Sequence, residues 1–190
     1  MNWTFSNFLT LFRVAIIPLL VGLFFIEGKL INICMAFLFS FACLTDFLDG
    51  YFARSWGQIT DFGRFLDPVA DKLLVTSTLL MLVGVGRIEG LSLIPAVIIL
   101  CREILVSGLR EFLASLRVGL PGSEMAKWKT AIQMISLICL LLGNTLSMGF
   151  DHISVAHVGI VLLWSAGILT LITGYSYLKE SLLYLKDQPV

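Results

Sequence analysis

Long apolar runs separated by short polar segments dominate this chain. A run of about 20 apolar residues is long enough to cross a bilayer as a helix. Six such runs are present, at about residues 8–26, 30–50, 68–86, 91–112, 129–147 and 153–178. Because a spanning segment must satisfy its own backbone hydrogen bonds, this pattern predicts an all-α integral membrane protein with six transmembrane helices in a bundle.

The composition agrees with that pattern. Of the 190 residues, 58% are hydrophobic and only 14% are charged, which is far from the average of soluble domains. A chain of this length is expected to form one domain, residues 1–190. The first apolar run is too long for the core of a signal peptide and lacks an A-x-A-like cleavage site, so we expect it to be retained as a helix.

The distribution of charge predicts the orientation of the chain. The formal net charge is zero, so the total indicates no particular partner; the apolar runs require a lipid bilayer, and no nucleic acid is expected. If the N-terminus is cytoplasmic, only Lys29 and Arg87 of the 13 lysines and arginines lie on the outer side. This bias predicts that both termini are cytoplasmic. A short multi-pass chain without a transit peptide fits a bacterial inner membrane.

Four aspartates adjoin the apolar runs of the segment TDFLDGYFARSWGQITDFGRFLDPVADK, residues 45–72. Asp46 and Asp49 are three residues apart and share one helix face, and Asp67 and Asp71, four apart, share another. Antiparallel helices joined by a short loop pack against each other, so the two pairs are expected to converge near the cytoplasmic boundary. Carboxylates are costly at this depth, which indicates a function.

A metal ion explains such a cluster best. Four unpaired carboxylates would repel one another, and a bound divalent cation removes that conflict. An all-carboxylate set suits Mg²⁺ or Mn²⁺ rather than a structural zinc ion, and such ions commonly bind phosphate oxygens. Arg54 shares a face with the first pair and can complement a phosphate.

Simpler explanations account for single residues of the segment. Asp67 precedes Pro68, so it could be a helix N-cap followed by a first-turn proline. Gly50 and Ala53 could serve helix packing alone. Neither explanation accounts for Asp46 and Asp49 within an otherwise apolar helix.

The segment carries a complete motif, D-x2-D-G-x2-A-R-x8-G-x3-D-x3-D. Its fixed positions are Asp46, Asp49, Gly50, Ala53, Arg54, Gly63, Asp67 and Asp71. This motif resembles that of the CDP-alcohol phosphatidyltransferase family. The resemblance implies that the four aspartates bind two divalent cations, Mg²⁺ or Mn²⁺, in an active site at the cytoplasmic interface, and that Asp71 is the general base.

The same resemblance implies how the lipid donor CDP-diacylglycerol is bound. Gly50 and Ala53 would contact the cytidine, and Arg54 would contact the diphosphate. Gly63 is assigned to the same site, where the absence of a side chain lets the two motif helices approach closely. It also implies a homodimer. The small residues Ala166, Gly167 and Gly174 are candidates for packing at an interface.

A second polar cluster surrounds the predicted fourth and fifth helices. Arg102 and Arg110 are eight residues apart and project in similar directions, and Lys127 and Lys129 open the fifth helix. Glu103 and Glu111 repeat the eight-residue spacing and are expected to pair with nearby cations. Orientation by loop charge or attraction to anionic lipid explains cations inside an apolar helix poorly. The cluster therefore predicts an anion pocket for a phosphate.

Four longer segments of the sequence indicate one branch of this family. NFLTLFRVAIIPLL, FLDPVADKLL, REILVSGLREFLA and KWKTAIQM resemble the branch of the family whose acceptor is glycerol 3-phosphate. This implies that Arg102, Arg110, Lys127 and Lys129 bind the acceptor phosphate and that the products are phosphatidylglycerophosphate and CMP.

Other functions stay open at this point. The same family includes enzymes with another acceptor, either phosphatidylglycerol, which gives cardiolipin, or an inositol phosphate. A divalent-cation transporter is the rival from a different class, because aspartates line many membrane paths. The acids here crowd one side of the predicted bundle, which disfavours a path through its full depth.

Overall fold

The computed structural model of the chain describes residues 5–56, 61–115, 124–145 and 154–186. Within these ranges it is built from six α-helices and one 3-10 turn, Gly90–Ser92. The helices are α1 (Phe5–Leu23), α2 (Lys29–Trp56), α3 (Asp61–Gly84), α4 (Leu93–Ser115), α5 (Glu124–Leu142) and α6 (Val155–Lys186). The prediction of an all-α protein is confirmed for these residues.

Three stretches of the described residues are long and apolar enough to cross a membrane. They are Lys29–Asp46, Gly90–Ala114 and Val155–Lys179, and α1 contributes a shorter apolar stretch, Phe8–Leu23. Large apolar side chains such as Phe25, Leu30 and Phe37 are exposed, as expected of a surface that faces lipid rather than water. These helices indicate a membrane protein.

The chain divides into two compact units. The first consists of Met1–Ile88 and Leu137–Gly159. Within it α1 packs against both α2 and α3, and its core includes Leu20, Phe39 and Leu74, all fully buried. This packing places one face of α1 against the two helices that carry the aspartate motif.

The second unit consists of Glu89–Ser136 and Ile160–Val190. Here α6 lies so close to α4 that a Cβ on Gly167 would be 2.8 Å from the Cβ of Pro95. A Cβ on Gly174 would similarly lie 3.1 Å from Cγ of Arg102, and Ala166 is fully buried. These three small residues pack within the chain, so they do not offer the free surface on which a dimer was expected.

Two boundaries in the aspartate segment differ from the sequence prediction. The turn-forming residues at 57, 58 and 60 predict a loop over residues 55–62. In the structure α2 continues to Trp56 and α3 begins at Asp61, so each helix extends into that segment. Pro68 lies inside α3, where it lacks the amide hydrogen that a helix interior normally uses. Asp67 is therefore an interior residue of the helix, and its interpretation as an N-cap is wrong.

An arginine closes the end of α5 in the first unit. Arg87 donates from Nη1 to the carbonyl oxygens of Leu140 (3.1 Å) and Leu141 (2.6 Å), and from Nη2 to Oδ1 of Asn32 (2.6 Å). Gly143, with φ +57°, ends the helix beside this guanidinium in the left-handed conformation that favours glycine. Burial lowers the pKa of Arg87, yet arginine stays protonated in proteins, so its charge complements the helix terminus.

We expect Arg87→Met to lower the melting temperature in detergent. The substitution removes three hydrogen bonds made by a half-buried charged group, and such bonds contribute about 1.5 to 3 kcal/mol each. It also leaves the carbonyl groups of Leu140 and Leu141 without these hydrogen bonds. Lys29→Met is the matched control, because Lys29 is an exposed cation on the same predicted side. Equal melting temperatures for the two variants would contradict the capping role.

Candidate functional site

Two of the motif aspartates meet at an arginine of α1. Nη1 of Arg13 lies 2.6 Å from Oδ1 of Asp46 and 3.5 Å from Oδ1 of Asp71. Asp46 and Asp71 therefore lie against the same guanidinium nitrogen. The structure thus brings together one aspartate from α2 and one from α3.

A third motif aspartate is held from the same helix. The Thr10 hydroxyl donates to Oδ1 of Asp67 at 2.5 Å. Thr10 and Arg13 are three residues apart and therefore share a face of α1. The sequence analysis did not predict this polar face of α1, because it used Arg13 only as one of the cations that indicate the membrane orientation of the chain. An arginine inside the apolar stretch Phe8–Leu23 was the available signal, because a cation there needs a partner.

Burial differs sharply across this contact. The Arg13 side chain is 0% exposed, whereas those of Asp46 and Asp71 are 35% and 41% exposed. A guanidinium withdrawn from water is stable only when it is well paired. The carboxylates contact the buried cation and remain partly exposed.

The other residues of the aspartate motif have side chains that lie outside the described part of the structure. Asp49, Gly50, Ala53 and Arg54 belong to α2, and Gly63 belongs to α3. Their side-chain environments fall outside the described residues, so their proposed contacts stay predictions.

The carboxylate groups of the site are suitable ligands for a hard divalent cation. Asp46, Asp67 and Asp71 offer only carboxylate oxygens, the ligands that Mg²⁺ and Mn²⁺ prefer, and they outnumber the single guanidinium of Arg13. Among the described residues no three potential ligands already form a metal-binding group, and Asp49 is not in that set. A full cation site would therefore need the fourth aspartate or a small rearrangement of side chains.

The second predicted cluster contains an ion-paired core in the second unit. Lys129 is 2% exposed and donates to Oε1 of Glu103. Nη1 of Arg102 lies 3.6 Å from the same oxygen. The expected pairing of Glu103 with nearby cations is observed, and it means that Arg102 and Lys129 share one carboxylate.

The other two cations of this cluster are exposed. Arg110 donates from Nη2 to the Tyr177 hydroxyl at 3.2 Å, and its guanidinium carbon lies 5.7 Å from the centre of the tyrosine ring. Lys127 is exposed near the start of α5. Tyr177, on α6, was not predicted from the sequence, because nothing in the local pattern shows which residue of a distant helix an arginine meets.

Comparison with known proteins places these residues in a family context. The profile of the CDP-alcohol phosphatidyltransferase family matches residues 3–172. A Rickettsia bellii protein named CDP-diacylglycerol--glycerol-3-phosphate 3-phosphatidyltransferase is 47% identical over 91% of this chain and 92% of its own length. Proteins with the same name from Rickettsia typhi (46% identical, 94% of this chain and 97% of its own) and Haemophilus influenzae (39%, 94% and 94%) are also similar.

Proposed function

This chain belongs to the CDP-alcohol phosphatidyltransferase family, and we propose that it transfers the phosphatidyl group of CDP-diacylglycerol to glycerol 3-phosphate. The products are phosphatidylglycerophosphate and CMP, so the enzyme serves phospholipid biosynthesis. The observation that carries this proposal is the meeting of Asp46, Asp67 and Asp71 at one face of α1, in a chain that matches transferases of that name over nine-tenths of its length.

The proposal extends to the setting of the enzyme. The whole chain, residues 1–190, acts as one domain with six membrane spans in a bacterial inner membrane, and both termini are cytoplasmic. Its active site lies at the cytoplasmic interface, where a lipid donor and a soluble acceptor can meet. The family resemblance implies that the active form is a homodimer. The three apolar stretches support the membrane setting, and the charge bias of the sequence supports the cytoplasmic termini.

The donor site is assigned to the motif residues. Asp46, Asp49, Asp67 and Asp71 would hold two divalent cations, Mg²⁺ or Mn²⁺. When bound, these cations supply positive charge to the diphosphate oxygens. The remaining motif residues that contact CDP-diacylglycerol are Gly50, Ala53, Arg54 and Gly63.

Asp71 is the proposed general base. Its carboxylate is partly exposed, so a soluble alcohol can reach it. Asp71 takes the proton from the free hydroxyl of glycerol 3-phosphate, and that oxygen attacks the phosphorus that carries the diacylglycerol. The bond from this phosphorus to the CMP oxygen breaks, and Arg54 stabilises the departing phosphate.

The acceptor phosphate is assigned to the basic cluster. Arg110 and Lys127 are exposed and are the proposed direct contacts. Arg102 and Lys129 contribute positive charge while Glu103 fixes their positions. Arginine suits this role because its planar donor array matches phosphate geometry.

Tyr177→Phe is expected to raise the KM for glycerol 3-phosphate while leaving kcat nearly unchanged. The substitution removes the hydroxyl that orients Arg110, and one such hydrogen bond is worth about 1 kcal/mol, or about fivefold in KM. Tyr175→Phe is the matched control, since Tyr175 is 72% exposed. An unchanged KM in Tyr177→Phe, with both variants folded, would contradict the positioning of Arg110 by Tyr177.

The proposed reaction is tested with labelled acceptors. Purified protein, CDP-diacylglycerol and Mg²⁺ are incubated with radiolabelled glycerol 3-phosphate, inositol phosphate or free glycerol, and the label in the lipid phase is identified by chromatography. We expect label only from glycerol 3-phosphate, recovered as phosphatidylglycerophosphate. Efficient labelling from another alcohol instead would overturn the acceptor assignment.

A further inference from the structure

One face of α1 supplies fixed partners to three aspartates of the proposed cation site. Arg13 contacts Asp46 and Asp71, and Thr10 contacts Asp67. These partners come from a helix that lies outside the aspartate motif.

The positive charge of Arg13 reduces the repulsion between the carboxylates when no metal ion is bound. Two ionised carboxylates that lie against one guanidinium nitrogen repel each other. The buried guanidinium, 2.6 Å from Asp46 and 3.5 Å from Asp71, offsets that repulsion. A divalent cation bound to the same carboxylates would offset it as well, so the two positive charges serve the same pair.

We propose that Arg13 is a resident counter-cation of the metal site, and that Thr10 is a second positioning residue that fixes Asp67. Arg13 holds the Asp46 and Asp71 carboxylates together when the site carries no divalent cation, so the site keeps its shape between turnovers. Binding of the divalent cation and the charge of Arg13 then oppose each other energetically. This inference rests on the proposed cation site.

Opposition between the two charges has a measurable consequence. Without Arg13, nothing offsets the repulsion between Asp46 and Asp71 in the metal-free protein. A bound divalent cation should therefore stabilise this variant more than it stabilises the parent protein. We expect Arg13→Gln to lower the melting temperature in EDTA. We also expect saturating Mg²⁺ or Mn²⁺ to raise the melting temperature of Arg13→Gln by about 3 °C more than that of the parent, a difference of about 1 kcal/mol. Arg13→Lys, which keeps the charge, is expected to respond nearly as the parent does.

Arg87→Gln is the matched control for a purely structural arginine. Arg87 lies in the same unit and bonds to carbonyl oxygens and an amide rather than to carboxylates. Its replacement is expected to lower the melting temperature equally in EDTA and in Mg²⁺. If Arg13→Gln behaves like Arg87→Gln, the counter-cation role is wrong although the proposed enzyme activity stands. A parent protein with no shift in Mg²⁺ or Mn²⁺ would overturn the cation site and this inference together.

A double variant keeps the test open if Arg13→Gln alone does not fold. Asp46→Asn removes one of the repelling charges, so Arg13→Gln should cost less stability in that background, and the coupling is read from the difference between melting temperatures in EDTA. A folded Arg13→Gln/Asp46→Asn protein whose melting temperature is close to that of Asp46→Asn supports the inference. A double variant that also fails to fold contradicts it, because the charge balance would then not be what Arg13 provides.

Discussion

Asp71→Asn is expected to abolish CMP release from CDP-diacylglycerol in the presence of glycerol 3-phosphate and Mg²⁺. The asparagine is nearly isosteric, but it can neither accept the proton of the attacking hydroxyl nor offer a charged oxygen to a divalent cation. Loss of general-base catalysis alone accounts for about 10²- to 10⁴-fold in rate, and a weakened cation site would add to it. The measurement is the initial rate of CMP formation by purified protein in detergent.

Asp61→Asn is the matched control for that experiment. Asp61 lies at the start of the same helix but outside the motif, so its replacement should leave the rate within about twofold of the parent. A rate for Asp71→Asn close to that of Asp61→Asn would remove Asp71 from the chemistry.

Arg110→Glu is expected to raise the KM for glycerol 3-phosphate by about 10- to 100-fold, the range that a charge-assisted hydrogen bond supports. Arg110 is exposed and its replacement places a negative charge against the acceptor phosphate. The KM for CDP-diacylglycerol should stay nearly unchanged, because the donor is assigned to the aspartate site. Steady-state kinetics with each substrate varied in turn separates the two effects.

Lys179→Glu makes the same charge reversal at an exposed position of α6 and serves as the control. It should leave both KM values nearly unchanged. If Arg110→Glu does not change the acceptor KM, the acceptor has no phosphate that Arg110 recognises, and a neutral alcohol becomes the better candidate.

Local spacing predicted much of the aspartate segment. The separations of three and four residues give the shared helix faces directly, and the short connection between two long apolar runs indicates neighbouring antiparallel helices. In the structure Asp46 of α2 and Asp71 of α3 both lie against Nη1 of Arg13. The family motif added roles for these residues, and those roles remain predictions.

Contacts between distant helices could not be predicted in this way. Thr10 and Arg13 meet the aspartates only because α1 packs against α2 and α3, and no local pattern specifies that packing. The same holds for Tyr177, which reaches Arg110 from α6.

The burial of Lys129 is a related case. From the sequence it belongs to a basic opening of the fifth helix, with no sign that it differs from Lys127. In the structure its ammonium is enclosed and bonded to Glu103, whereas Lys127 is exposed. A lysine is rarely buried unless it is paired, so its accessibility depends on a neighbour from another helix rather than on its own position.

The most direct test of the central claim is CMP release by the purified protein with CDP-diacylglycerol and Mg²⁺, measured with and without glycerol 3-phosphate. The transferase account predicts that CMP forms only when glycerol 3-phosphate is present, in amounts equal to the phosphatidylglycerophosphate produced. No CMP with any alcohol from a folded protein, together with Mn²⁺ uptake by proteoliposomes that contain it, would contradict the account and favour a cation transporter.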